Sequence, residues 1–157
     1  MTRNNLNYFF LFFIFITILL LSTKVFSDEN IKFQSLKKNE VNLRQGPSFE
    51  YPVILAYKKK YLPVIVLDKF DTWKKIKDFE NNSGWIHSSQ LSRKKSAINI
   101  KNYSILFDKP TIFSNPIAKL ETGKLVLIKK CKLEWCRVSA ENFNGWILKN
   151  YLWGETK

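Results

Sequence analysis

Beyond residue 30 the chain alternates short apolar runs of Val, Ile, Leu, Tyr and Trp with turn formers such as QGPS, DKFDT, ENNSG, DKP, SNP and ENFNG. No stretch there sustains a helical period for more than about two turns, so the pattern predicts an all-β protein. Within WKKIKD and WCRV, a period of two places Ile76 and Val138 inward and Lys75 and Arg137 toward solvent. YLPVIVLD (Tyr61 to Asp68) is more uniformly apolar. There Leu62, Val64 and Val66 alternate with Pro63, Ile65 and Leu67, which predicts a strand buried on both faces. Asn82, Ser83, Gly84, Asn144 and Gly145 are expected to accept positive φ at tight turns.

The same succession occurs twice, at an offset near 62 residues. VNLRQGPSFEYPVI (Val41 to Ile54), YLPVIVLD, DTWKKIKD (Asp71 to Asp78) and GWIHSSQL (Gly84 to Leu91) make the first copy. SILFDKPTIFSNPI (Ser104 to Ile117), GKLVLIKK (Gly123 to Lys130), EWCRV (Glu134 to Val138) and GWILKNYL (Gly145 to Leu152) make the second. Trp73 maps onto Trp135, Gly84-Trp85 onto Gly145-Trp146, and Pro47 onto Pro110. A copy of about 60 residues cannot enclose a large core, so each is expected to be a compact barrel filled largely by Trp and stabilised by docking or a crosslink. The copies are expected over residues 31–93 and 97–154, joined by the basic link SRKKS (Ser92 to Ser96), which is too short to let them move far apart. Trp85 and Trp146, each behind a Gly at a strand start, are expected in the core. Trp73 and Trp135, each just after a turn, are divided between packing and binding.

Ahead of the copies, Tyr8 to Leu21 (YFFLFFIFITILLL) is an unbroken apolar run behind Arg3, and Val25 and Ser27 suit the −3 and −1 positions of a signal peptidase site. Residues 1–27 therefore read as a secretory signal peptide cleaved after Ser27; the run is short of the roughly 20 apolar residues of a permanent span. An uncleaved N-terminal anchor is the alternative, and would be the chain's only contact with a membrane. No Cys lies near the cleavage region, so a lipoprotein signal is not expected. The expected location is the periplasm.

Compartment changes the meaning of charge. Removing Arg3 and Lys24 from 26 basic residues leaves 24 against 13 acidic ones, a net charge of +11. In an exported protein that excess meets anionic cell-wall polymers, lipid head groups and acidic proteins, so nucleic acid is not an expected partner. Only four of the 26 are Arg, and Lys is a mobile point charge rather than a bidentate fork; a solvated Lys-rich surface accounts for most of the excess.

VNLRQGPSFEYPVI, Trp73 and GWIHSSQL together resemble the bacterial SH3-like (SH3b) domains, with their LNVR-x-GPS turn, central hydrophobic strand, W-x-x-V strand and closing GWV-x-x-x-x-L. Leu43, Arg44, Gly46, Pro47, Trp73, Gly84, Trp85 and Leu91 fall on that pattern. The longer match, with Trp135-Cys136 and the terminal Leu152-Trp153-Gly154, is similar to the exported two-repeat SH3-like proteins of alphaproteobacterial type. The resemblance covers roughly Ile31 to Gly154 and implies two tandem small SH3-like β-barrels with a binding role, often toward peptidoglycan or its peptides. In the second copy Phe107-Asp108-Lys109 replaces the R-x-G of the turn.

Cys131 and Cys136 flank KLEW, and on a hairpin with a four-residue loop they would face each other at a separation a disulfide tolerates. Export favours oxidation, with free or redox-active thiols as the alternative; two Cys and a distant His are too few for a metal site. His87, the only histidine, would need a neighbour such as Ser88 or Ser89 to serve a hydrolase, but Leu148 occupies its place in the second copy. No pair of carboxylates suggests glycosidase chemistry. No enzyme activity and no cofactor are expected. The candidate binding residues are Arg44, Gly46, Pro47, Tyr51, Tyr57, Trp73 and Trp135, since aromatic platforms bind sugars, peptides and cationic side chains. The expected partner is a cell-wall peptide or glycan. The alternative is a scaffolding subunit that binds an envelope protein.

Overall fold

Period-two alternation becomes fourteen strands within residues 31–156, the part of the chain that the structure, a computed structural model, describes. The expected signal peptide or anchor lies outside the described residues. β1 (Lys32–Leu36), β2 (Val41–Arg44), β3 (Val53–Tyr57), β4 (Pro63–Phe70), β5 (Trp73–Lys77), β6 (Ser83–His87) and β7 (Leu91–Ser92) form one sheet, ordered β3-β2-β6-β5-β4-β1-β7. β8 (Ser96–Asn99), β9 (Ser104–Phe107), β10 (Pro116–Leu120), β11 (Leu125–Lys132), β12 (Trp135–Ala140), β13 (Phe143–Leu148) and β14 (Leu152–Gly154) repeat that order as β10-β9-β13-β12-β11-β8-β14. Three-residue 3-10 turns, Ser88–Gln90 and Lys149–Tyr151, precede the last strand of each sheet. The fold is all-β, two tandem small barrels of one topology.

Register explains the curl. The pairing slips between Val66 and Asp68 on β4, and between Ile128 and Lys130 at the matching place on β11. Such bulges bend and twist a ladder, which wraps each sheet round its own core. The first core gathers Leu36, Val41, Leu43, Val64, Ile76 and Ile86; the second gathers Leu106, Val126, Val138 and Ile147. Ile76 and Val138 are fully buried beside the exposed Lys75 and Arg137, as alternation predicts.

Four expectations need correction. Trp85 and Trp146 are half-buried, because Gly84, Ile86, Gly145 and Ile147 take the inward positions on β6 and β13 and turn the indoles to the outer face. β4 is buried on both faces only at its start; at the bulge Leu67 is 49% exposed. The positive φ angles at the β5–β6 and β12–β13 turns belong to Asn81 and Glu141, not to the glycines. Gly84 is needed for approach instead: a Cβ there would stand 2.6 Å from the Arg44 carbonyl oxygen and 2.8 Å from Leu43 Cγ, where β6 crosses β2. Finally, the Cys131–Cys136 hairpin is tighter than a four-residue loop. Lys132 still pairs with Trp135, leaving Leu133 and Glu134 as a two-residue turn with Leu133 at φ 52°.

The two repeats bury different polar pairs. In the first, Tyr57 donates its hydroxyl to Asp78 Oδ2 at 2.9 Å. Asp78, 2% exposed, also accepts from Glu80 N, Asn82 N and Asn82 Nδ2 at 2.8–2.9 Å. By register, Leu120 and Ala140 stand at these two places in the second repeat. There the buried polar centre is Asn99, fully enclosed, which accepts from Ser104 Oγ at 2.7 Å and donates to the carbonyls of Lys101 and Glu121. Asn99 and Ser104 sit where the first repeat has Leu36 and Val41.

The repeats are docked. Ile98 of β8 belongs to the first repeat's core, and Leu125 packs against it. Phe33 of β1 meets Trp153 of β14 edge to face at 5.1 Å. No helix among the described residues is long and apolar enough to cross a membrane.

Candidate functional site

The turn between β2 and β3 is built by its own sequence. Gln45 N donates to Pro52 O at 3.0 Å, closing the loop. Gly46 is buried under Tyr51: a Cβ at Gly46 would lie 2.6 Å from the Tyr51 ring. Arg44, half-buried at the end of β2, sends Nη1 to the carbonyls of Phe49 (2.9 Å) and Tyr51 (2.7 Å). Its guanidinium therefore spends donors on holding the loop, and its Cζ lies 5.6 Å from the Phe49 ring centre.

That loop delivers Phe49 to the start of β5 and the end of β6. Phe49 meets Trp73 edge to face at 4.8 Å and stacks on His87 at 5.5 Å; Trp73 and His87 stand nearly perpendicular at 5.3 Å. The result is a three-ring cluster backed by Arg44, with Phe49 62% exposed as its outer member. Trp73, between packing and binding in the sequence reading, is only 6% exposed and forms the floor. Tyr51 is 46% exposed on the same loop, and Pro47 is half-buried there.

Phe49 and His87 were not among the expected binding residues. Phe49 was legible as an exposed aromatic next to the loop's Tyr51. His87 gave no such signal, because Leu148 in its place pointed to a peripheral role. Its Nδ1 caps the 3-10 turn by accepting from Ser89 N at 3.4 Å and lies 2.7 Å from Ser89 Oγ, and among the described residues no carboxylate hydrogen-bonds to the ring. Tyr57 is not brought to the cluster. Its partner Asp78 follows the far end of β5 from Trp73, about 16 Å away at strand spacing, and burial together with the charge of Asp78 pushes its hydroxyl pKa well up.

The second repeat keeps the geometry and changes the chemistry. Phe107 pairs with Trp146 as Arg44 pairs with Trp85, so an aromatic ring replaces the guanidinium. It meets Trp135 edge to face at 5.9 Å. Beside it lies a groove of about 180 Å3 whose aromatic and aliphatic wall includes Tyr103, Ile105, Phe107 and Tyr151, with Lys101 and Asn102 also lining it. Trp135 is half-buried, carried on the hairpin that the Cys131–Cys136 disulfide closes with a Cα separation of 4.0 Å. Reducing that bond should lower the unfolding free energy by about 2 kcal/mol, the loop-entropy value for a six-residue ring. Urea unfolding with and without reductant measures it, and equal midpoints would show that the bond adds nothing. Among the described residues no group of three His, Cys, Asp or Glu is placed to hold a metal ion.

Comparison with known proteins adds the family. The profile of the family described as bacterial SH3 domain matches residues 37–93 and again 101–154. No curated protein matches the chain. Among solved structures, NlpC2 from Trichomonas vaginalis is similar at 14% identity and a TM-score of 0.37, over 81% of this chain and 49% of that one. NlpC1 from the same organism gives 14%, 0.36, 83% and 48%. An NlpC/P60 family protein from Bacillus cereus gives 14%, 0.35, 80% and 57%. The chain thus spans about half the length of these solved relatives.

Proposed function

The chain belongs to the bacterial SH3 domain family, and from that premise we propose that it is a non-catalytic binding module of the periplasm that recognises a peptidoglycan-related peptide or glycan. The observation that carries this reading is the Phe49–Trp73–His87 cluster with Arg44 behind it. It offers an exposed ring face for a sugar or an aliphatic peptide segment on a floor that is already packed. The bonded cysteine pair supports an envelope location, as does the secretory signal expected from the sequence. A second reading, a scaffold for an envelope protein, is favoured by the groove of the second repeat, where Phe107 takes the place of Arg44 and Lys101 is the lining cation.

The test is capture on purified cell-wall sacculi in about 1 M salt, where the Debye length shrinks to about 3 Å and diffuse Lys attraction is screened. Phe49→Ala removes an exposed side chain, so the barrel should stay folded while salt-resistant capture falls about tenfold. Charge removal at Lys58, Lys59 and Lys60 should reduce only the low-salt fraction. Undiminished high-salt capture by a folded Phe49→Ala chain would move the site off the first repeat.

A further inference from the structure

The lysine excess looks like a solvated coat in the sequence, but part of it is gathered at the seam of the two repeats. A cleft of about 320 Å3 opens there, lined by Lys32 and Gln34 of β1, Lys74 of β5, Arg93 and Lys94 of the link, and Ser96 of β8. Lys95 and the carboxylate of Glu155 also line it, each engaged in an interaction of its own. The cations are held together by the fold. Ser35, fully buried, donates its hydroxyl to the Lys94 carbonyl at 2.8 Å and fixes the link over β1. The Lys74 ammonium donates to Gln34 Oε1 at 2.7 Å.

The balance of charge in the cleft favours an anion, since five cationic side chains line it against the one carboxylate of Glu155. Like charges are crowded: partial burial, then the charges of Lys32, Lys69 and Arg93, push the Lys74 pKa down.

We infer that this cleft binds a phosphoryl group carried on a small organic moiety, using Arg93, Lys32, Lys74 and Lys94 as the cations. The choice over a carboxylate follows from charge and acceptor number. A phosphomonoester brings about −1.5 to −2 and three acceptor oxygens to a site with one guanidinium fork and several ammonium groups, whereas a carboxylate brings −1 and a flat pair of oxygens. The volume lies at the small end of ligand pockets, and the half-buried Phe33 ring supplies an apolar wall for the carbon portion. This site is separate from the aromatic cluster and does not depend on it.

Amide NMR of the whole chain titrated with inorganic phosphate tests the inference. Saturable shifts at Lys74, Arg93 and Ser96 are expected, with acetate or chloride at equal ionic strength producing none. The exposed pair Lys32→Gln/Arg93→Gln should raise the Kd for phosphate at least tenfold with the spectrum otherwise intact. Lys74→Gln tests the same point at a more enclosed position. Equal responses to phosphate and acetate, or an unchanged Kd in the folded double variant, would overturn the site. Two further probes distinguish the source of the group. Capture by phosphatidic acid vesicles but not phosphatidylcholine vesicles, lost in the double variant, assigns it to a lipid head group. Saturable binding of glycerol 3-phosphate without vesicle capture assigns it to a soluble or polymer-borne ester.

Discussion

Asp78→Ala should lower the unfolding free energy by about 4 kcal/mol, read from urea midpoints at an unchanged m-value. The carboxylate is 2% exposed and accepts four hydrogen bonds, from Tyr57, from Glu80 N and twice from Asn82. Removing it strands a buried hydroxyl and two turn amides, each costing about 1–3 kcal/mol when water cannot fully replace the partner. Tyr57→Phe should cost only about 1 kcal/mol, since Asp78 keeps its turn contacts. The second repeat supplies the control. It carries Leu120 and Ala140 at these places, so Tyr57→Leu/Asp78→Ala, which removes both partners, should recover part of the loss. A cost below about 1 kcal/mol for Asp78→Ala would mean that water already serves the network.

The same pair sets an alkaline limit. Burial first, and the Asp78 charge second, raise the Tyr57 pKa above its ordinary 10.0 in the folded chain. A raised folded value means that the contribution is complete below pH 10.0 and is lost as pH climbs through the folded pKa. Tyr57→Phe should abolish that part of the decline.

Trp73→Ala is the other large effect, about 4 kcal/mol, in the range for emptying an enclosed aromatic site. At 6% exposure, with Phe49 and His87 packed on it, Trp73 has no easy way to be replaced by collapse of its surroundings. Trp135→Ala, at a half-buried site, should cost clearly less, and thermal unfolding of the two variants side by side checks the order. If the two were equal, the distinction between floor and rim would fail. Loss of binding in a Trp73→Ala chain would therefore report stability as much as recognition, which is why Phe49 carries the binding test.

Much of this architecture could be read from the chain because the repeat and the period-two pattern are both short-range signals. Ile76, Val138 and the Cys131–Cys136 pairing follow from local alternation and hairpin register. The misplacements share one cause. Whether Trp85 or Trp73 is the buried indole depends on which face of the ladder turns inward, and Gly84, pressed against the Arg44 carbonyl, decides that through a contact 40 residues away in the chain. Tyr57 looked like a groove residue because it is aromatic; its burial depends on Asp78, 21 residues on. Phe49 reaches His87 only because the loop folds back on Arg44, and the cationic seam exists only because the link is clamped to β1.

The unlike polar pairs inside two otherwise matching barrels also bear on how the chain avoids mistakes. Tandem near-copies can trade strands during folding, since either copy's ladder will accept the other's backbone. Here an exchanged β10 in the first barrel would set Leu120 against Asp78 and leave a carboxylate sealed away from water without its hydroxyl. An exchanged β2 in the second would put Val41 where Asn99 needs Ser104. Each wrong assembly leaves a buried polar group unmatched, at a cost of roughly 1–3 kcal/mol, so the interiors themselves discriminate self from copy.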